Sequence, residues 1–129
     1  MPLVRLDMIK GRSPAEIQQI MDLTQQAVVH NFEVHPRDRY QIVTQHEPYE
    51  ISMLDTGLGF ERSDQILIIS VTSRARSRQA IQKFYAEICD TLAQAQLVKP
   101  CDLMVNFTIN GDADWSFGFG RAQFLTGEL

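Results

Sequence analysis

"GRSPAEIQ" at residues 11–18 and "ARSRQAIQ" at residues 75–82 lie 64 positions apart and share Arg12/Arg76, Ser13/Ser77, Ile17/Ile81 and Gln18/Gln82. At the same offset Val34, Pro36, Asp38 and Thr44 fall on Val98, Pro100, Asp102 and Thr108. Identities scattered at one fixed spacing, in one order, imply two copies of a single supersecondary unit. In the first copy Ser13 reads as a helix N-cap, with Pro14 at the first helical position and Glu16 completing a capping box. Ile17, Ile20, Met21, Thr24 and Val28 then recur at helical spacing. Strands flank this helix, "LVRLDM" (3–8) and "RYQIVTQ" (39–45). The second copy repeats the order: strand "ILIISVT" (66–72), cap Ser77, a stripe of Ile81, Phe84, Tyr85, Ile88 and Leu92, and closing strand "LMVNFTI" (103–109).

Two β-α-β units with right-handed crossovers predict an α/β (α+β) fold, a four-stranded mixed sheet with two helices on one face. The repeats span about 2–46 and 66–110, "DTGLGFERSD" (55–64) links them, and an aromatic tail occupies 111–129. The 129 residues read as a single domain. Two helices leave the second sheet face bare. Yet strands 66–72 and 103–109 are nearly continuous apolar runs, a pattern of burial on both faces. Trp115, Phe117, Phe119 and Phe124 add more apolar surface. Another subunit is therefore expected to cover the second face.

Hydrophobic residues make up 44% of the chain, enough for a core, and the net charge of −4 argues against nucleic acid or an anionic membrane as partner. There is no eighteen-residue apolar run and no signal-peptide pattern, so a soluble, cytoplasmic protein is expected. Cys89 and Cys101 form no CxxC pair, and Cys89 reads as a small buried hydrophobe.

Three places could carry chemistry. Pro2 is tolerated at the first residue of a strand. If Met1 is removed, Pro2 also presents a free secondary amine, a group no side chain offers. "SRARSR" (73–78) sets Arg74 and Arg76 beyond a strand end and before a helix. They are either a solvated basic turn or a fork for a carboxylate, helped by the N–H groups of the helix start. Arg78 is expected on the helix and exposed. In "HPRDRYQ" (35–41), Asp38 is either a turn residue, as its counterpart Asp102 implies, or a carboxylate that orients water or pairs with an amine. His30, His35 and His46 lack metal-ligand spacing, and "TGLGF" and "SFGFG" open no helix as a phosphate loop must, so both read as turns.

Pro2 opening a strand, the duplication, the arginine pair and the stretches "DRYQIVTQHEP", "LDTGLGFERS", "SRARS" and "DADWSFGFGRAQFLTGEL" together resemble the malonate semialdehyde decarboxylase family of the tautomerase superfamily, over essentially the whole chain. That resemblance implies a homotrimer without metal or organic cofactor, acting on a small oxo acid. It implies Pro2 as catalytic amine, Asp38 as catalytic carboxylate, and Arg74 and Arg76 as the carboxylate-binding pair. Ala75 stands between the arginines where the family pattern leads to proline. It also implies a pocket wall of Trp115, Phe117, Phe124 and Leu129.

The implied reaction is decarboxylation of a 3-oxo acid, malonate semialdehyde to acetaldehyde and CO₂. Neutral Pro2 could form an iminium ion with the aldehyde, an electron sink. Alternatively, protonated Pro2 could polarise the carbonyl oxygen, or water could add under the guidance of Asp38. An α-amine titrates at about 7.7–8.0 when unperturbed. Apolar walls and arginines lower that value and Asp38 raises it. The same parts would serve a keto–enol tautomerase of 2-oxo acids, a hydratase of unsaturated acids, or a binding module without turnover.

Overall fold

The computed structural model covers residues 1–129. Strand β1 (Leu3–Ile9) leads into helix α1 (Pro14–Phe32) and strand β2 (Tyr40–His46). Strand β3 (Leu67–Arg74), helix α2 (Arg78–Gln94) and strand β4 (Leu103–Asn110) repeat the pattern. A short helix α3 (Gln123–Thr126), absent from the sequence expectation, closes the tail. Both expected caps form. Ser13 Oγ accepts from Glu16 N at 3.2 Å while Glu16 Oε1 accepts from Ser13 N at 3.0 Å. Ser77 Oγ accepts from Ala80 N at 3.1 Å.

The sheet order is β2-β1-β3-β4. Strands within a repeat pair in parallel, and the two repeats meet through antiparallel β1 and β3. Leu3 faces Thr72 and Met8 faces Leu67. Adding 64 to Leu3 gives Leu67, and subtracting 64 from Thr72 gives Met8. The two repeats are therefore exchanged by a pseudo-twofold axis through the sheet between β1 and β3.

One sheet face and both helices build the core. Val4, Leu6 and Met8 of β1 and Leu67, Ile69 and Val71 of β3 pack with Ile20, Val28, Phe84, Ile88 and Leu92. Phe84 stacks on Phe32 at 5.2 Å and meets Phe107 edge-on at 5.7 Å. On α2 the stripe is narrower than its spacing predicts, because Tyr85 lies at the rim, 38% exposed. Cys89 is only half-buried, beside the stripe rather than in it.

The second face differs from the reading of the apolar runs. Side chains alternate along a strand, so this face takes Ile68, Ser70, Thr72 and Arg74 from β3, and Met104, Asn106 and Thr108 from β4. Hydroxyl and amide groups thus interrupt each run at alternate positions, and Asn106 Nδ2 donates to Ser70 Oγ at 3.0 Å. Arg5 and Asp7 of β1 share the face, and Asp7 pairs with His46 Nε2 at 2.7 Å. It is an open, mixed surface carrying exposed Tyr40, Ile42 and Met104, not a continuous apolar one.

Candidate active site

The pseudo-twofold axis places two equivalent corners at opposite ends of the β1–β3 pair, and comparing them isolates the site. Asp38 and Asp102 are both buried, and their backbone N–H groups donate to His35 O and Lys99 O at 2.8 and 2.9 Å. To that extent both are turn residues. Their carboxylates differ. Asp102 is saturated, accepting from Ser63 N at 2.7 Å and Ser63 Oγ at 2.6 Å. Asp38 Oδ1 is buried without a partner, and Oδ2 lies 3.8 Å from the chain's terminal amine on Met1. The arginines do not follow the carboxylates: Arg12 keeps Nε and Nη1 buried without partners, whereas Arg76 is bonded to Ser73 and Phe32. Arg12 Nη2 donates to Gln65 O at 2.6 Å, the residue equivalent to Met1. Its counterpart Arg76 contributes its charge to the terminal amine.

Several contacts hold this corner. Gln25 of α1, itself buried, donates from Nε2 to Pro36 O and Asp38 O at 3.4 and 3.3 Å. Arg76 donates from Nε to Ser73 Oγ at 3.2 Å and from Nη1 to Phe32 O at 3.0 Å, lying over the Phe32 ring at 5.4 Å. Arg74, the last residue of β3, lies over the Phe124 ring at 4.5 Å, and its Nε stands 2.8 Å from Asp112 Oδ1. Arg78, first in α2, is exposed as expected.

The aromatic tail folds back over β2. Phe117 is sandwiched between Trp115 at 5.5 Å and Tyr40 at 5.6 Å, with Phe124 edge-on at 5.6 Å. Gly118, Phe119 and Gly120 all take positive φ, 147°, 58° and 68°, so the turn after Phe117 depends on its glycines. Buried Gln123 closes it, accepting from Phe117 N at 3.0 Å and donating to Gly118 O at 2.9 Å. Phe119 points away, 92% exposed.

Beside Met1 and Asp38 a cavity of about 440 Å³ opens, walled by Tyr40 and Phe117 and bordered by Leu129. Leu129 is 60% exposed and forms the rim rather than the wall. Trp115 stands behind Phe117, and Phe124 turns towards Arg74. Arg74 and Arg76 lie outside this cavity, yet both charges reach the amine. Pro2 is buried one residue inward of Met1. Tyr40, Gln123 and Asp112 were missed by sequence reasoning. Tyr40 lies within the expected strand 39–45, and nothing in the spacing links position 112 to position 74.

Electrostatics set the amine and Asp38 against each other. Burial lowers the Met1 amine from its ordinary value of 8.0, Asp38 opposes that, and Arg76 and Arg74 reinforce it. Burial raises Asp38 above the usual carboxylate range against the pull of the amine and Arg76. Burial also lowers Arg76, with Arg74 adding to it. The corner therefore gathers an amine biased towards neutrality, a carboxyl biased towards protonation, and two guanidinium groups.

The family described as tautomerase enzyme matches residues 38–118. The chain belongs to that family. It is 43% identical over 129 residues to the protein named probable tautomerase YrdN of Bacillus subtilis (strain 168), covering 100% of both chains. Among solved structures, it is similar to a malonate semialdehyde decarboxylase described with decarboxylase and hydratase activities: 42% identity, 98% of each chain covered, TM-score 0.95. It is also similar to FG41 malonate semialdehyde decarboxylase inhibited by 3-bromopropiolate, at 40% identity, 98% and 97% coverage and a TM-score of 0.94. As a tautomerase-family chain it has the expected four-stranded mixed sheet with its helices.

Proposed function

We propose that the chain, after removal of Met1, decarboxylates a 3-oxo acid such as malonate semialdehyde, giving acetaldehyde and CO₂. The observation that carries this reading is the unsaturated carboxylate of Asp38 facing the terminal amine while its repeat-mate Asp102 is fully bonded. Removing Met1 moves the amine inward by one residue, about 3.8 Å along the chain, onto buried Pro2. Arg74 and Arg76 hold the substrate carboxylate and the aromatic wall excludes water.

In the amine route, Pro2 nitrogen attacks the aldehyde carbon and water leaves. The C1–C2 electron pair flows into the iminium as CO₂ departs, the resulting enamine takes a proton at C2, and water releases acetaldehyde. Asp38, whose pKa burial raises, exchanges the protons in this route. The relatives named as tautomerases support a second reading, in which neutral Pro2 moves a proton on a 2-oxo acid. Product analysis by ¹³C NMR decides between them. Acetaldehyde and bicarbonate from 3-oxopropanoate support decarboxylation, whereas turnover of phenylenolpyruvate alone refutes it.

Two expectations accompany this proposal. Asp38 raises the pKa of the Met1 amine, and in the proposed mechanism the amine moved onto Pro2 stays beside that carboxylate, so Asp38→Asn should move the titration of Pro2 nitrogen to lower pH, followed by ¹⁵N NMR of proline-labelled protein. Activity that rises with pH through that pKa marks the neutral amine as the working form, and activity that falls marks the ammonium. The open sheet face, with Tyr40, Ile42 and Met104 exposed, is covered by further copies in a homotrimer. Sedimentation equilibrium at micromolar concentration should return three times the chain mass, and a stable monomer refutes the assembly.

A further inference from the structure

The two arginines of the clamp are not equivalent. The direct contacts of Arg76 are neutral, the Ser73 hydroxyl, the Phe32 carbonyl and the Phe32 ring, and the Asp38 charge acts on it without a bond. Arg74 lies over a ring as well, but has a full counter-charge at 2.8 Å, Asp112. Asp112 sits in the single turn that follows β4, two residues beyond Asn110, which pairs with Arg74 in the sheet. Fold stability does not demand an acid there. Both side chains are about half exposed, 43% for Arg74 and 49% for Asp112, and such pairs contribute little. Nor does the turn need it, because Asp114, not Asp112, accepts from Gly111 N at 2.8 Å.

Decarboxylation gives that counter-charge a use. In the ground state the substrate carries its negative charge on the carboxylate. In the transition state that charge is leaving for the carbonyl end as CO₂ forms. An arginine that grips the carboxylate at full strength stabilises the ground state more than the transition state, and only interactions stronger in the transition state accelerate the step. A carboxylate at 2.8 Å weakens the grip without removing the hydrogen-bonding nitrogens. Resting on the decarboxylase reading, we propose that Asp112 is a positioning residue that acts through Arg74, tempering the clamp so that the bound carboxylate is free to lose its charge.

The signature is a paired fall in KM and kcat. Asp112→Asn removes the charge and keeps the shape. It should bind malonate, used as an unreactive carboxylate probe, about threefold more tightly, within the range of an exposed ion pair. Binding is read by fluorescence of Trp115, the only tryptophan in the chain, which stacks on Phe117 beside the site. On 3-oxopropanoate the same variant should lower KM and kcat by similar factors and leave kcat/KM within about twofold. Asp114→Asn removes the same charge two residues away and should move neither. Arg74→Ala separates the layers. If it leaves malonate binding unchanged, the carboxylate clamp is wrong and this role falls with it. If Arg74→Ala weakens malonate binding while Asp112→Asn leaves it unchanged or weaker, or if Asp114→Asn tightens it equally, the tempering role alone is overturned.

Discussion

Protein shown by intact mass to retain Met1 should decarboxylate 3-oxopropanoate roughly 10²–10⁴-fold more slowly than protein beginning at Pro2, the range that a positioned proton-transfer or amine group contributes. In the retained form the Pro2 nitrogen is an amide with no lone pair to offer. The amine present instead is primary, half-buried on Met1, and 3.8 Å from Asp38 Oδ2. Pro2→Ala should lose most activity for a related reason, because a primary amine on a more flexible residue replaces a ring-constrained secondary one. Borohydride added during turnover should fix substrate carbon on Pro2 if an iminium forms. Absence of that label leaves the polarisation and hydration routes, and full activity with Met1 in place removes the amine from the mechanism.

Arg74→Ala and Arg76→Ala should each lower kcat/KM by roughly 10- to 150-fold, the equivalent of about 1.5–3 kcal/mol for a charge-assisted hydrogen bond. The two losses should differ in character. Arg76 is half-buried and bonded to Ser73 and Phe32, so its removal also leaves the Phe32 carbonyl unpaired and should lower the unfolding midpoint. Arg74 is about half exposed, paired with Asp112 and over the Phe124 ring, so its removal should leave stability nearly unchanged. Arg78, exposed at the start of α2, is the control and should cost little activity. Steady-state kinetics with thermal unfolding of the three variants test this, and equal mild effects in all three would return "SRARSR" to a solvated turn.

Much of the fold was legible because its signals are local. Ser13, Pro14 and Glu16 determine a helix start from four consecutive residues, and Ser77 does the same in the second copy. The 64-residue offset revealed the duplication because the caps and the corner residues Asp38 and Asp102 kept their identities. What escaped was non-local. The antiparallel meeting of β1 and β3 follows from pairing across the linker, which no spacing encodes. The mixed sheet face escaped because hydropathy averaged Ser70, Thr72 and Asn106 into their apolar neighbours. In the candidate site, Asp38, Phe117 and Leu129 line the cavity beside Met1, whereas Arg74, Arg76, Trp115 and Phe124 stand outside its lining. Leu129 lies at the rim, Trp115 backs Phe117, and Tyr40 and Gln123 supply wall and latch. Those roles depend on the tail crossing β2, a long-range packing event.

The unequal saturation of Asp38 and Asp102 divides labour between twin positions. Residue 102, bonded twice to Ser63, is a strut: damage there should surface as a protein that melts early yet works while folded. Residue 38, with one oxygen unbonded, is on the proposed mechanism a tool: damage there should surface as a sound protein that idles. Of the two repeat-related carboxylates, one closes the sheet's far corner with two bonds to Ser63, while the other leaves an oxygen at the near corner for the chemistry proposed above.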